Sequence, residues 1–276
     1  MQNSPIVKMP RLIYGTAWKK EQTCDRVVQA ITAGFRGIDT AGQPKHYHEP
    51  GVGAALRILQ AQGVMRDRLF IQTKFTPISG QDPAHLPYDP SAPLSAQVAQ
   101  SLASSQKNLG TDYVDSFVLH SPLSQWSQMM EVWKAMEAVY FQGSAKILGI
   151  SNCYDLEVLK ALYEHSTVKP SVVQNRFYRD TDYDAELRLW CKHRNIEYQS
   201  FWTLTANPQI LESAMTQEIA ESHGKTAAQV FFRFLTQIGV VPLSGTCSEI
   251  HMREDLEIFS FELAEREVEL FHAQLR

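Results

Sequence analysis

The chain has 276 residues, 44% hydrophobic and 20% charged, too apolar for disorder and about the size of one strand–helix barrel of ~250 residues. Twenty-six Lys and Arg stand against thirty Asp and Glu, a net charge of −4, so there is no basic excess to recruit a nucleic acid or an anionic membrane surface. No stretch approaches the ~20 apolar residues of a bilayer span, Met1 to Pro10 lacks the apolar core of a secretory signal, and the four cysteines show no C-x-x-C or metal-ligand spacing. These features lead to the expectation of a cytoplasmic protein with reduced thiols.

In chain order, short β-rich runs cover Leu12–Thr16, Arg36–Thr40, Leu69–Phe75, Tyr113–His120, Lys146–Ser151, Ser171–Asn175, Ile196–Phe201 and Val240–Ser244. Several are continuously apolar, as strands buried on both faces of a parallel sheet must be. Between them lie apolar stripes at helical spacing. The first is Val27, Val28, Ile31 and Phe35, with Gly34 as a stop; the second is Leu94, Val98, Leu102 and Leu109. Trp126, Met129, Met130, Trp133, Met136 and Tyr140 form the third, and Leu156, Leu159 and Leu162 the fourth. Ala227, Val230, Phe231, Phe234 and Leu235 precede the last strand. Stripes of this kind pack a helix on a sheet more readily than they build a cofactor slot. Strands alternating with helices predict a (β/α)8 barrel in one domain over residues 1–276. A doubly wound sheet would carry G-x-G-x-x-G after its first strand, and the sequence has none. Pro77, Pro83, Pro87, Pro90 and Pro93 mark a long loop over 76–93 after the third strand.

Barrels keep catalytic groups at the C-terminal ends of their strands. Here the second strand ends on Asp39, the third on Lys74, the fourth on His120, the fifth on Ser151 and Asn152, and the sixth on Gln174 and Asn175, with Tyr47 in the loop after the second. Each has a plain structural reading as a turn cap, a solvated strand end or a core histidine. A carboxylate, an amine, an imidazole and a phenol on neighbouring loops would need four unrelated explanations.

Taken in order, Gly37-Ile38-Asp39-Thr40-Ala41, the loop from Tyr47 to Val52-Gly53-Ala54-Ala55-Leu56, Gln72-Thr73-Lys74, Leu119-His120, Gly149-Ile150-Ser151-Asn152, Val173-Gln174-Asn175 and Glu254-Asp255-Leu256 make the chain resemble the aldo-keto reductase family from about Met9 to Leu263. The resemblance implies reduction of an aldehyde or ketone by NADPH. Tyr47 would be the general acid, Lys74 the neighbour that lowers its pKa, Asp39 the partner of Lys74, and His120 the group that orients the carbonyl. It puts Ser151, Asn152 and Gln174 on the nicotinamide carboxamide and Phe201 under the ring. It carries Thr16, Leu204, Ser244, Thr246, His251 and Asp255 to the rest of the cofactor, and Trp18 and Trp126 to the substrate pocket. The chemistry is self-consistent: a carbonyl gaining hydride develops charge on oxygen that needs a proton and hydrogen-bond donors.

The chain departs from the family at three places. The loop from Asp39 to Tyr47 is long, and His46 and His48 flank the tyrosine, placed either to alter its proton chemistry or to face solvent. Leu243 occupies a lysine slot, and His251 is nearest an arginine slot, in the stretch that holds the 2′-phosphate of NADPH in relatives. A leucine cannot bind phosphate, and histidine lacks the permanent forked charge of arginine; Ser244, Thr246 and Arg253 remain as donors, so weaker discrimination against NADH is expected. Finally, Arg276 follows closely on the stripe Leu263, Val268, Leu270 and Phe271, where many relatives continue into a tail over the pocket. A more open mouth is expected, shaped by the proline-rich loop and Trp126. The competing reading is a non-catalytic, nucleotide-binding regulatory subunit of the same fold. A monomer is the default, since no heptad run suggests an assembly.

Overall fold

The computed structural model describes residues 8–275; residues 1–7, which include most of the segment judged free of a signal, and Arg276 lie outside the described residues. Eight parallel strands close into a barrel in sequence order, and the eighth pairs with the first. They are β1 (Ile13–Gly15), β2 (Gly37–Asp39), β3 (Phe70–Phe75), β4 (Val114–Leu119), β5 (Ala145–Ser151), β6 (Val172–Arg176), β7 (Glu197–Phe201) and β8 (Val240–Ser244). Each expected strand is present, most of them trimmed by a residue or two where the chain turns out of the sheet.

The helices in front of β6 are α1 (Thr23–Ala33), α2 (Glu49–Ala61), α3 (Leu94–Leu109), α4 (Trp126–Phe141) and α5 (Leu156–His165), and all but α2 follow an apolar stripe. The rest are α6 (Ala185–Lys192), α7 (Pro208–Leu211), α8 (Ala214–His223), α9 (Ala227–Gln237), α10 (Glu249–Leu256) and α11 (Glu265–Gln274). Local chemistry sets their ends. Gly34 at φ 131° stops α1 while its N–H reaches the carbonyls of Ala30 and Ile31, a backbone geometry that L-residues with a Cβ avoid. Asp155 caps α5 by accepting from the N–H groups of Glu157 and Val158, and Thr226 with Gln229 forms a reciprocal capping box on α9. The stripes are core: Met129, Trp133, Met136, Phe231, Phe234 and Phe271 are buried, and Phe234 stacks on Phe271 at 4.9 Å.

Alternate residues of each strand fill the barrel interior. Along β3 the inward positions read Phe70, Gln72, Lys74, from apolar to charged towards the C-terminal end. Ile13, Phe70, Val241 and Leu243 make an apolar plug. Beyond it Gln72 and Gln174 each donate to Asp39 and to Gln199, so the barrel axis ends in a polar layer beneath the strand ends.

Candidate active site

Lys74 is fully buried, and its Nζ lies 2.7 and 2.6 Å from the two carboxylate oxygens of Asp39 and 3.0 Å from the carbonyl of Thr40. β2 and β3 are neighbours, which is why a carboxylate and an amine 35 positions apart in sequence meet here. Burial pulls the Lys74 ammonium down in pKa, and the Asp39 charge opposes that pull. Gln72 and Gln174 each donate a further hydrogen bond to Asp39 Oδ1, at 2.7 and 3.0 Å. A buried ion pair is costly to assemble unless its remaining lone pairs are satisfied, and the two glutamines satisfy them.

Tyr47 sits two residues ahead of α2. Its ring lies 5.0 Å from Lys74 Nζ and edge-on to His120, with ring centroids 6.0 Å apart. The long β2 loop therefore brings Tyr47 to the lysine despite its altered spacing. The expected lowering of its pKa by Lys74 is not what this arrangement gives: burial first, and then the Asp39 charge, push the phenol up. The reason is geometric. Lys74 spends its charge on Asp39 at contact distance, so its pull on the phenol does not outweigh burial and the Asp39 carboxylate. Burial, with Lys74 and His46 as nearby positive charges, drives His120 well below its ordinary pKa and keeps it neutral. Its Nδ1 is 2.6 Å from Thr76 Oγ1. His46 is pulled down mainly by burial; its Nδ1 contacts Gln43 Oε1 at 3.0 Å.

The proposed carboxamide residues also converge. Ser151 Oγ donates to the Gln174 carbonyl at 2.6 Å, and Asn152 Nδ2 donates to the His120 carbonyl at 2.9 Å. Asn152 has φ 53°, a left-handed conformation that asparagine tolerates better than most residues. Gln174 Nε2 already serves Asp39 and Gln199, and its side-chain oxygen, unclaimed among the described residues, is left for a ligand. Phe201, at the end of β7, is partly exposed and packs on the Leu243 plug. Thr16 is buried with its hydroxyl on the Asp39 carbonyl at 2.8 Å, and Leu204 packs against the main core. Ser244 and Asp255, both expected on the cofactor, are buried against each other: the hydroxyl donates to Oδ2 at 2.6 Å. Burial raises Asp255 to about 6. Thr246 Oγ1 accepts from the Ser248 N–H at 3.1 Å, and His251 is exposed at the start of α10. Leu243 points into the plug and offers no charge, but Lys19 reaches this segment from the β1 loop, donating to the Gly245 carbonyl at 2.8 Å.

A cavity of about 470 Å³ opens beside Tyr47, lined also by Trp18, His46 and His85. Trp18 is exposed and stacks on His46 with ring centroids 4.0 Å apart. Trp126 is not among the lining residues. It starts α4 and lies edge-on to His165 of α5, 5.6 Å away, while this cavity takes its wall from Trp18 and from His85, Leu86 and Pro87 of the proline-rich loop. A cavity of about 540 Å³ between α9 and α10, with Thr226, Arg253 and Glu254 in its wall, shares no residue with the tyrosine site.

Four contributors were not singled out in the sequence as functional. Gln72 and Gln199 complete the polar layer, and Thr76 contacts His120. Glu49, present in the Tyr47-His48-Glu49 segment, is buried and accepts from Thr73 Oγ1 at 2.6 Å and Ser105 Oγ at 2.9 Å. It pins the N-terminus of α2, and with it the tyrosine loop, to β3 and α3. Inward alternation along β3 and β7 signalled Gln72 and Gln199; nothing local signalled the other two.

Residues 11–216 match the family model described as Aldo/keto reductase family. Glyoxal reductase of Bacillus subtilis is 30% identical over 252 residues, 91% of this chain and 83% of that protein. Methylglyoxal reductase DkgA of Yersinia pestis is 27% identical, over 97% and 92%. Among solved structures, an aldo/keto reductase from Brucella melitensis superposes with TM-score 0.81 at 27% identity, covering 97% of this chain and 95% of that one. Aldo-keto reductase AKR2E5 of the silkworm Bombyx mori, complexed with NADPH, gives TM-score 0.81 at 27% identity, over 97% and 84%. With the barrel and the converging strand ends, these matches show that the chain belongs to the aldo/keto reductase family.

Proposed function

We propose that this protein reduces an aldehyde or ketone to an alcohol with NADPH, and that Tyr47 is the acid that protonates the carbonyl oxygen. The observation that carries the reading is the meeting of Tyr47, neutral His120 and the buried Lys74–Asp39 pair at one barrel mouth. The residues present fit the nicotinamide end of the cofactor: Ser151, Asn152 and the free oxygen of Gln174 match an amide, and Phe201 offers a ring face beside them. When bound, the cofactor supplies the hydride. Held protonated by burial, Tyr47 delivers its proton as charge develops on the carbonyl oxygen, and Lys74 then faces the phenolate that remains. Neutral His120 donates a second hydrogen bond to the same oxygen and helps exclude water.

The glyoxal and methylglyoxal reductases among the relatives make small dicarbonyls the first substrates to assay. We place the protein in the cytosol as a monomer. Support for the location comes from four free cysteines and the absence, among the described residues, of a helix long and apolar enough to cross a membrane; for the monomer it is the lack of a heptad run in the sequence.

Tyr47→Phe tests the assignment. It should lower the rate of carbonyl reduction by about 10²–10⁴-fold while leaving NADPH binding, read by fluorescence titration, unchanged. Undiminished turnover would show that the acid lies elsewhere. A wild-type chain that binds NADPH but reduces no carbonyl would favour the regulatory-subunit reading.

A further inference from the structure

We infer that Thr76 is a positioning residue that fixes the tautomer of His120, holding the imidazole proton on Nε2 where it can be donated to the substrate oxygen. The inference rests on the reductase reading for its consequence but not for its geometry. Thr76 follows the last residue of β3 and opens the proline-rich loop. It is 2% exposed, and its Oγ1 lies 2.6 Å from His120 Nδ1.

Among the described residues the Thr76 hydroxyl has no other hydrogen-bond partner. It can therefore be satisfied in one way: by donating to an unprotonated Nδ1. The opposite arrangement, in which Nδ1–H donates to the hydroxyl, would leave a buried O–H with nowhere to point. A neutral imidazole carries one proton, so an acceptor Nδ1 requires a donor Nε2.

The loop that follows holds Thr76 in place. Its carbonyl accepts from the Tyr88 hydroxyl at 2.8 Å and from Gln81 Nε2 at 3.2 Å. Gln81 also donates to the Gly42 carbonyl at 2.8 Å, and Gln43 Nε2 bonds the Gly80 carbonyl at 2.5 Å. The proline-rich segment is thereby tied to the tyrosine loop on one side and, through Thr76, to the histidine on the other. Its length thus serves the histidine as well as the pocket wall.

The test is nitrogen-15 NMR of the histidine ring atoms in labelled protein, with His120 assigned by the signals lost in His120→Asn. The wild-type ring should be neutral with the proton on Nε2. Thr76→Ser, which keeps the hydroxyl, should preserve that tautomer and most of kcat. Thr76→Val should shift the ring toward Nδ1–H or a mixture and lower kcat about tenfold or more, with the Kd for NADPH unchanged. A wild-type ring protonated on Nδ1 would overturn the inference, and so would a Thr76→Val protein with unaltered tautomer and kcat. If the wild type reduces no carbonyl, the reductase reading fails; the wild-type spectrum still decides the role of Thr76 and needs no variant to fold.

Discussion

Asp255 carries the cost of a buried carboxylate with no cation at contact distance among the described residues, as Glu49 does beside Thr73 and Ser105. Asp39 is neutralised by Lys74, whereas among the described residues Asp255 has only the Ser244 hydroxyl at contact distance, with His251 exposed nearby. Burial raises its pKa from 3.8 to about 6. A raised carboxyl favours the folded state while it is protonated, so this contribution is complete below pH ~4 and lost as the pH rises through ~6, a change of about 3 kcal/mol for a shift of about two units. Asp255→Asn, which stays neutral, should therefore be more stable than the wild type at pH 7, and the difference should disappear by pH ~4. Urea unfolding at both pH values measures it. An equal gap at the two would mean that Asp255 titrates normally.

At the level of elements, the site depends on how closely α2 lies against α3. A Cβ on Gly53 would run into the backbone carbonyl of Asn108, so the two helices touch at a point where only glycine fits. Gly53→Ala should push α2 outward and cost about 1–3 kcal/mol. Because Tyr47 leads directly into α2, whose first turn is pinned by Glu49 to Thr73 and Ser105, kcat should fall along with Tm. Unchanged Tm and kcat would mean that α3 yields at no cost. The same contact shows what the sequence could disclose. The strands and the helices α1, α3, α4, α5 and α9 were legible because their apolar period is local, and Asp39, Lys74 and His120 were legible because they end strands. The segment 208–223, which folds as α7 and α8, has only a few buried positions, Ile210, Thr216, Ile219 and Ala220 among them, too sparse a stripe to announce itself. The contacts of Thr76 and Glu49 are set by partners 24 to 56 positions away, and no local period carries information at that range.

For the whole molecule, the open question is how a chain of net charge −4 holds a cofactor with several phosphates. Positive charge near the β8–α10 segment comes from few sources. Leu243 is committed to the apolar plug; His251 and Arg253 are exposed on α10, Arg253 facing Glu249 at 3.8 Å. Lys19 is buried with its ammonium on the Gly245 carbonyl and no carboxylate within salt-bridge distance among the described residues. A 2′-phosphate would meet the N-terminal amides of α10, the Ser248 hydroxyl and a weak positive field rather than a lysine–arginine fork. The electrostatic difference between NADPH and NADH is correspondingly small. Fluorescence titration at low ionic strength should show both cofactors saturating, with NADPH tighter by less than about tenfold, equivalent to ~1.4 kcal/mol. Added salt should narrow that margin, because exposed charges are screened beyond ~8–10 Å at physiological ionic strength. A hundredfold preference for NADPH would mean that Lys19 or Arg253 reorganises to grip the phosphate. A strong preference for NADH would mean that Leu243 and His251 have cost this barrel its phosphate recognition altogether.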